Sequence, residues 1–273
     1  MITVVEKFRT IQGEGKYAGY PVTFIRLMNC GLHCSFCDTK YTWNPKYNIP
    51  KNTKLEYLNT KLDVDNFIKE NKNMLFPNDI ANPNIVISGG EPLIESNFKD
   101  GLLKHLINNL AGCNITFETT TLMNPLNDLK NSTITNNMNK IFDLLDGTPI
   151  TLSISPKFPL NCYPKGITYE NIYNYYTITS KDLMVIPFDV DWYYKFVFHK
   201  TLERYIKPAI ENITPLVRNR IYLMPLTPNR MDYHTDKNHY FKNCMDTYKF
   251  CVDNNLIYGS RIHVDLFGLK TGV

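Results

Sequence analysis

Three cysteines within one short segment constrain this chain more than any other feature of its sequence. Cys30, Cys34 and Cys37 follow the apolar run 22–27 in a C-x3-C-x2-C spacing. Three thiolates on one loop can bind three irons of a cubic four-iron, four-sulfur cluster, and the fourth iron then has no protein ligand. Structural metal sites usually close their coordination sphere, whereas catalytic sites keep one position open. The spacing therefore predicts a metal centre that is open for chemistry.

Zinc binding and simple packing are the two alternatives to a cluster at the triplet. His33 could join the three thiols in a Cys3His zinc site, and cysteines are often small buried hydrophobic residues. A zinc knuckle usually takes its ligands from two separated pairs, and the sequence contains no second C-x-x-C pair. Core cysteines are not expected to crowd into a loop beside glycine, histidine and aspartate. The cluster is favoured, and zinc stays as an alternative.

Composition limits the classes of protein to which the chain could belong. Its 273 residues suffice for one large domain, and we predict a single domain over residues 1–273. A net charge of +4 with both signs interspersed gives no case for a nucleic-acid or membrane partner. The sequence shows no secretory signal and no apolar run of membrane-spanning length. Seven cysteines, an odd number, favour a reducing cytoplasm over a disulfide framework.

Strands and helices alternate along the chain, and residues 48–60 read as a polar linker. The pattern predicts strands over 2–8, 22–28, 84–88, 114–119, 150–155, 193–198, 220–224 and 261–266, with helices over 63–72 (capped by Asp63), 98–110, 201–211 and 234–252. Such alternation calls for a mainly parallel sheet with right-handed crossovers. Polar loops follow five of the strands, and the carboxyl edge of parallel strands is where sites are built. We therefore predict an α/β fold, a complete or partial (β/α) barrel, with insertions at roughly 122–149 and 158–190.

Three further cysteines, Cys113, Cys244 and Cys251, are predicted to serve packing rather than chemistry. Cys113 precedes a strand, and the last long helix is expected to bury one face. That face comprises Tyr240, Phe241, Cys244, Tyr248, Cys251 and Val252.

The cysteine triplet, taken with Gly89-Gly90-Glu91-Pro92 at the end of a predicted strand, resembles the radical S-adenosylmethionine superfamily. A GGEP segment alone could be a simple turn into a helix. In that superfamily the open iron binds the amino and carboxylate groups of S-adenosylmethionine. Electron transfer from the cluster then yields a 5′-deoxyadenosyl radical. The resemblance implies a partial barrel of the radical S-adenosylmethionine type.

A narrower resemblance is to the 7-carboxy-7-deazaguanine synthases. It lies in F-x-T-I-Q-G-E-G-x-x-x-G-x-P-x-x-F-I-R-L from Phe8 to Leu27 and in C-D-T-K-Y-T-W from Cys37 to Trp43. It recurs at 155–157, 195–197, 223–225 and the tail 270–273. The resemblance implies a lyase that converts 6-carboxytetrahydropterin to 7-carboxy-7-deazaguanine with loss of ammonia, for queuosine or for modified DNA. It also implies magnesium, a flavodoxin- or ferredoxin-type electron donor, and a homodimer.

Carried over position by position, the resemblance implies a role for each matching residue. The cluster ligands would be Cys30, Cys34 and Cys37, and Thr39 would bind magnesium. The residues implied for S-adenosylmethionine are Phe36, Cys37, Asp38, Gly90, Glu91, Ser155, Pro156 and Lys157. Those implied for the substrate are Ile11, Gln12, Gly13, Glu14, Arg26 and Ser88. Glu91 is expected at the cofactor's amino group. Arg26 suits a carboxylate because its planar fork binds such a group bidentately. Taken singly, Asp38 and Lys157 are also typical of solvated surface residues.

Several positions depart from the family's pattern. Ser88 stands where the family usually has threonine, Thr121 replaces a usual glycine, and Leu226-Thr227-Pro228 follows Met224-Pro225. A glycyl-radical activase is one alternative, because such enzymes also use a C-x3-C-x2-C loop. A non-catalytic metal-binding module is another. The activase would leave the Gln12-Gly13-Glu14-Gly15 loop and Thr39 without a task, and the metal-binding module would need neither the GGEP segment nor Arg26.

Overall fold

One mixed sheet organises the chain in its computed structural model. The structure describes residues 1–50, 53–78, 80–131, 134–145, 148–158, 160–184, 190–213, 215–227 and 237–268. Within these ranges nine strands form the sheet, in the order β3-β1-β2-β4-β5-β6-β7-β8-β9. β1 is antiparallel to both of its neighbours, and every pair from β2–β4 onward is parallel. The sheet is open, with β3 and β9 as its edge strands.

The elements follow one another in β-α alternation after the first hairpin. The strands are β1 (Ile2–Ile11), β2 (Pro21–Leu27), β3 (Glu56–Leu58), β4 (Asn84–Gly89), β5 (Asn114–Thr119), β6 (Ile150–Ile154), β7 (Val190–Phe198), β8 (Ile221–Pro225) and β9 (Ile257–Tyr258). The helices are α1 (Lys61–Glu70), α2 (Lys72–Leu75), α3 (Glu95–Phe98), α4 (Leu102–Asn109), α5 (Pro125–Asn131), α6 (Ile134–Leu145), α7 (Tyr169–Met184), α8 (Glu203–Asn212), α9 (Lys237–Asn254) and α10 (Ile262–Phe267).

One face of the central strands is apolar and packs in the hydrophobic core. Ile85 and Ile87 of β4 and Leu152 of β6 are fully buried there, as are Leu103 and Leu106 of α4. The opposite face carries polar residues that line the pocket, and the strands were predictable because they are short segments rich in β-branched and aromatic residues. The predicted α/β architecture with mainly parallel strands is confirmed. No helix in the described ranges has the length and apolar character needed to cross a membrane.

Segment 261–266 is a helix, and the prediction of a strand there is wrong. Polar and apolar residues alternate along this segment, which suggested a strand. In the structure Arg261 and Val264 are buried while Leu266 is exposed, and this spacing of buried positions is typical of a helix. The amide of Asp265 donates to the carbonyl of Arg261, closing a helical turn. The ninth strand lies just before it, at Ile257–Tyr258.

Two further predictions near the first helix need correction. Thr60, not Asp63, caps α1: its hydroxyl accepts from the amide of Asp63, whose carboxylate accepts from the amide of Thr60 in return. The predicted linker at 48–60 contains the edge strand β3. Because Leu58 is its one fully buried residue, that strand carries almost no hydrophobic signal.

The buried face of α9 differs from the predicted one. Tyr240 and Cys251 face the core as expected, but Phe241, Tyr248 and Val252 are 66%, 52% and 62% exposed. The core-facing row instead passes through Thr247, whose hydroxyl donates to the carbonyl of Asn243. A hydroxyl that bonds to a carbonyl of its own helix can be buried without remaining unsatisfied, and the hydrophobic pattern does not reveal it. Residues 234–236 of the predicted helix lie outside the described residues.

The predicted insertions are largely helical. They contain α5, α6 and α7, and α7 packs against both of the others and against α8. Two of its tyrosines reach the end of β5, where Tyr175 donates to the carbonyl of Thr121 at 2.8 Å and Tyr176 to that of Thr120 at 3.0 Å. The insertions therefore support the polar edge of the sheet.

Candidate active site

A large pocket opens at the carboxyl edge of the parallel strands. All but one of the predicted site residues line it, the exception being Pro156, which is buried beside the pocket. The lining members among them are Ile11, Gln12, Gly13, Glu14, Arg26, Cys30, Cys34, Phe36, Cys37, Asp38, Thr39, Ser88, Gly90, Glu91, Ser155 and Lys157.

The cysteine loop and the GGEP turn are joined backbone to backbone. The amide of Gly90 donates to the carbonyl of Leu27 at 2.9 Å, and that of Glu91 to the carbonyl of Asn29 at 2.7 Å. A Cβ atom on Gly90 would lie only 1.8 Å from the carbonyl oxygen of Asn29. Glycine is therefore required here by the close approach of two backbones. This contact sets the cysteine loop against the end of β4.

Burial keeps the three thiols of the loop protonated when no metal is bound. It raises the pKa of Cys30 to about 12, where Glu91 adds to the effect, and it also raises the pKa of Cys37. The pKa of Cys34 is raised well above its usual range, first by the neighbouring thiol of Cys162. Such thiols ionise when a metal binds, and the metal supplies the free energy that burial costs.

The donor set fits a cluster with one iron per cysteine. Each thiolate of such a cluster ligates a different iron, so the sulfur atoms need not converge on one point. In the described part of the chain, no three His, Cys, Asp or Glu side chains converge to hold a single metal ion. His33 is exposed, and its ring packs edge-on against Trp43 at 5.2 Å.

The carboxylate of Glu91 is held by four donors. Its Oε1 accepts from Thr119 Oγ1 and from the amide of Leu93, and its Oε2 accepts from the amide and hydroxyl of Thr120 at 2.7 and 2.6 Å. Burial raises the pKa of Glu91, and these hydrogen bonds oppose the rise. Glu91 thereby connects β4 to the end of β5 at the rim of the pocket.

Lys157 and Asp38 both have partners in the folded protein. Lys157 Nζ donates to Ser155 Oγ at 2.7 Å, and the amide and carbonyl of Lys157 both bond the Tyr163 hydroxyl. One oxygen of Asp38 lies 3.3 Å from Arg261 Nη2. Burial opposes ionisation of Asp38, but Arg261 lowers its pKa below the usual range.

The loop that follows β1 contacts helix α10. The amide of Ile262 donates a hydrogen bond to the carbonyl of Gly13. A Cβ atom on Gly13 would lie only 2.0 Å from His263 Nδ1, so the two segments are in close contact. Gln12 Nε2 lies 3.4 Å from Glu118 Oε1, and Gln12 is buried. The loop therefore places amide and carboxylate groups against the pocket wall.

A cluster of charges at this wall was not predicted from the sequence. Glu14 accepts from Lys195 Nζ at 2.8 Å and from Arg261 Nε at 2.7 Å, and Lys195 also bonds Glu118 at 3.0 Å. Burial opposes ionisation of Glu14, yet Lys195, Arg261 and His263 hold its pKa well below the usual range. Burial lowers the pKa of His263. Glu14 and Lys195 lay within segments of the family resemblance, but nothing in the sequence indicated that Arg261 joins them.

Arg26 and Ser88 lie side by side on β2 and β4. They are paired in the parallel register, and both side chains line the pocket. Arg26 Nε is 2.8 Å from Glu6 Oε2, an ion pair without hydrogen-bond geometry, and the guanidinium carbon lies 5.8 Å from the centroid of the Phe8 ring. Ser88 is 2% exposed, and its hydroxyl has no hydrogen-bond partner among the described residues. An unpartnered buried hydroxyl in a pocket wall suits contact with a bound molecule.

Comparisons with known proteins agree with this geometry. The family described as "4Fe-4S single cluster domain" matches residues 11–153. A 7-carboxy-7-deazaguanine synthase from Hyperthermus butylicus is 27% identical over 238 residues, covering 85% of this chain and 80% of the relative. One from Buchnera aphidicola is 42% identical over 100 residues, covering 33% and 42%.

A solved structure shares the fold. The crystal structure of QueE from Escherichia coli superposes with a TM-score of 0.55 at 18% identity, covering 96% of this chain and 94% of that one. The resemblance to the 7-carboxy-7-deazaguanine synthases is thus confirmed in curated relatives. Since the family pattern spans more than half of the residues and includes the three-cysteine loop, the chain belongs to the 4Fe-4S single cluster domain family.

Proposed function

We propose that this protein is a radical S-adenosylmethionine lyase of 7-deazapurine synthesis. It converts 6-carboxy-5,6,7,8-tetrahydropterin to 7-carboxy-7-deazaguanine and ammonia. The observation that carries this proposal is that the cysteine loop and the Gln12-to-Glu14 loop line one pocket. A cluster that reduces S-adenosylmethionine supplies a radical able to abstract hydrogen from a carbon. The protein's own residues then determine which carbon is presented.

Cys30, Cys34 and Cys37 would hold the cluster. Phe36, Asp38, Gly90, Glu91 and the turn Ser155-Pro156-Lys157 would hold S-adenosylmethionine. The hydrogen bonds between the GGEP turn and the segment that leads into the cysteine loop support this division, because a cofactor held by that turn would lie beside the residues that would hold the cluster.

The substrate would lie between the β1 loop and Arg26. Its 2-amino-4-oxo ring presents donors and acceptors along one edge, and Gln12 can match both kinds. Arg26, whose charge is paired with Glu6, would bind the substrate carboxylate through its guanidinium nitrogens. The Ser88 hydroxyl would accept or donate at the same end. Thr39 would supply one oxygen to magnesium, a cation that keeps several water or substrate ligands.

We further propose a low-potential flavodoxin or ferredoxin as electron donor, a homodimer, and a cytoplasmic location. All three proposals follow from the resemblance to the 7-carboxy-7-deazaguanine synthases. Sedimentation analysis of the anaerobic protein would test the dimer.

The test is anaerobic reconstitution followed by turnover. We expect four irons and four sulfides per chain and a broad charge-transfer absorption. Incubation with S-adenosylmethionine, 6-carboxytetrahydropterin, magnesium and dithionite should yield 7-carboxy-7-deazaguanine, identified by mass. Cofactor cleavage without this product would favour another radical enzyme, such as a glycyl-radical activase. A colourless protein with stoichiometric zinc would favour a non-catalytic metal module.

A further inference from the structure

Two of the three loop cysteines, Cys30 and Cys37, accept hydrogen bonds from different kinds of donor on their sulfur atoms. Cys30 Sγ accepts from the amide of Leu32 at 3.4 Å, a backbone contact that any residue could make. Cys37 Sγ accepts from the indole Nε1 of Trp43, also at 3.4 Å. Thr39 Oγ1 also lies 3.6 Å from Cys37 Sγ, and either atom of that pair can donate. The Trp43 bond, by contrast, has a fixed direction, and substitution of the Trp43 side chain removes it.

Trp43 is positioned for this bond by the fold of its own segment. A short 3-10 turn over Lys40–Thr42 reverses the chain, and Thr42 Oγ1 secures it by donating to the carbonyl of Thr39 at 2.8 Å. Thr42 is fully buried, so the turn is anchored in the core. The His33 ring packs edge-on against the indole from outside, at an interplanar angle of 87°. The indole thus contacts Cys37 Sγ through its N–H and the His33 ring through its face or edge.

The direction of this bond has an electrostatic consequence. An indole N–H is a donor only, so its positive end always points at the sulfur. It therefore favours whichever state places more negative charge on that sulfur. Hydrogen bonds to ligand sulfurs are among the factors that set iron–sulfur potentials.

We propose that Trp43 is a positioning residue that makes the Cys37-ligated cluster easier to reduce by one electron. The electron comes from a low-potential one-electron donor, and no bond to the protein is formed or broken. The reduced cluster carries one more negative charge, part of it on Cys37 Sγ, and the indole dipole stabilises that charge. This inference rests on the proposed function, since it needs the cluster to be present.

Redox titration of the reconstituted protein tests the proposal. Trp43→Phe removes the N–H and keeps an aromatic ring, and Trp192→Phe applies the same change to the chain's one other tryptophan, on β7. We expect the equilibrium constant for reduction to fall about two- to tenfold in Trp43→Phe, the range of a typical hydrogen bond. At 59 mV per tenfold, that is a shift of roughly 20–60 mV to more negative potential. Trp192→Phe should keep the parent potential.

Iron and sulfide content is measured on each sample beforehand. An intact cluster with an unchanged potential in Trp43→Phe overturns the inference and leaves the proposed function standing. Failure of the parent protein to bind a cluster overturns the proposed function itself.

A second measurement avoids the Trp43 variant, in case that variant does not hold a cluster. In Trp192→Phe grown with indole-15N tryptophan, Trp43 carries the only labelled indole. Pulsed electron–nuclear double resonance of the reduced protein should then detect a 15N coupling and an exchangeable proton coupling. Their absence would mean that the indole does not bond a cluster sulfur, and the inference would fall.

Discussion

Lys195 Nζ lies 2.8 Å from Glu14 Oε2, and this ion pair joins β7 to the loop that follows β1. The same ammonium lies 3.0 Å from Glu118 on β5, while Arg261 Nε lies 2.7 Å from the other oxygen of Glu14. Only 6% of the Lys195 side chain is exposed. Burial opposes its charge, but Glu118 and Glu14 raise the pKa of Lys195 above its usual value. The wall of the pocket is therefore a network of balanced charges.

Lys195→Met should destabilise the protein strongly, because it leaves Glu14 and Glu118 facing each other without the ammonium. Breaking a buried pair in this way typically costs about 3–5 kcal/mol of unfolding free energy. Urea denaturation of the metal-free protein would measure the loss. The matched control is Lys207→Met on the exposed side of α8, which should change stability by less than about 0.5 kcal/mol. Equal losses in the two variants would contradict the network.

Glu14 should make stability depend on pH in the acid range. Its folded pKa lies well below the ordinary value, so its contribution is fully present above about pH 4.3 and is lost as pH falls through the folded pKa. Glu14→Gln should thus cost about 3 kcal/mol at pH 7, and the gap to the parent should narrow below about pH 4. Unfolding curves from pH 3 to 8 would measure the gap. Glu70→Gln on α1 is the exposed control. A gap that stays constant down to pH 3 would refute the assignment.

Cys30, Cys34 and Cys37 should each be required for a four-iron cluster. Replacing any one by alanine removes the thiolate of one iron, leaving at most a three-iron species without turnover. Cys113 and Cys251 are buried on distant elements, and their alanine variants should lose only about 1–3 kcal/mol of stability. Iron analysis and electron paramagnetic resonance would separate the two groups. Loss of the cluster in Cys113→Ala or Cys251→Ala would overturn the ligand assignment.

The residues that could be predicted are those with a local signal. The central strands were found because they are short segments rich in β-branched and aromatic residues. The cysteine loop, the GGEP turn and the β1 loop were found because special residue types are bunched in sequence. The C-terminal edge of a parallel sheet then brings such loops together, whatever their distance along the chain.

The residues that were missed belong to contacts between distant segments. Arg261 was taken as part of a strand, yet it pairs with Glu14, which lies 247 positions away. Cys162 received no role, but its thiol neighbours Cys34 and its carbonyl accepts from the amide of His33. Neither has a sequence pattern of its own, because each depends on how two loops meet. The tail 270–273, which carried part of the resemblance, lies outside the described residues.

The departure at Thr121 has a structural consequence. Thr121 adopts φ = 62°, a left-handed conformation that a β-branched residue rarely takes, which explains why glycine would be the easier choice. Such strain costs on the order of 1–3 kcal/mol and persists only when the surroundings hold it. Here the hydroxyl of Tyr175 on α7 donates to the Thr121 carbonyl, and Tyr176 holds the carbonyl of Thr120.

Tyr175→Phe should therefore lower stability by about 1–2 kcal/mol, since it leaves a buried carbonyl without its donor. In the Thr121→Gly background, Tyr175→Phe should cost less than it does in the parent, because glycine adopts the left-handed conformation unaided. Tyr248→Phe, on the exposed part of α9, is the control for removing a hydroxyl. Additive losses in the double-mutant cycle would mean that Tyr175 does not hold the strained backbone.

Thr39 should determine the response to magnesium. Its side chain is buried in the pocket wall, with Oγ1 at 3.4 Å from the carbonyl of Gly89 and 3.6 Å from Cys37 Sγ. Both contacts are long, so the hydroxyl can turn to a cation at little cost. Thr39→Val removes the oxygen at nearly constant volume, and magnesium should then no longer stimulate formation of 7-carboxy-7-deazaguanine.

Binding of S-adenosylmethionine, measured separately by equilibrium dialysis, should stay within about threefold of the parent, since the lost hydroxyl corresponds to less than one typical hydrogen bond. Thr39→Ser keeps the oxygen and should keep the magnesium response, which separates the role of the hydroxyl from that of the methyl group. A magnesium response in Thr39→Val equal to that of the parent would place the cation on other residues. Loss of cofactor binding in the same variant would instead assign Thr39 to the S-adenosylmethionine site.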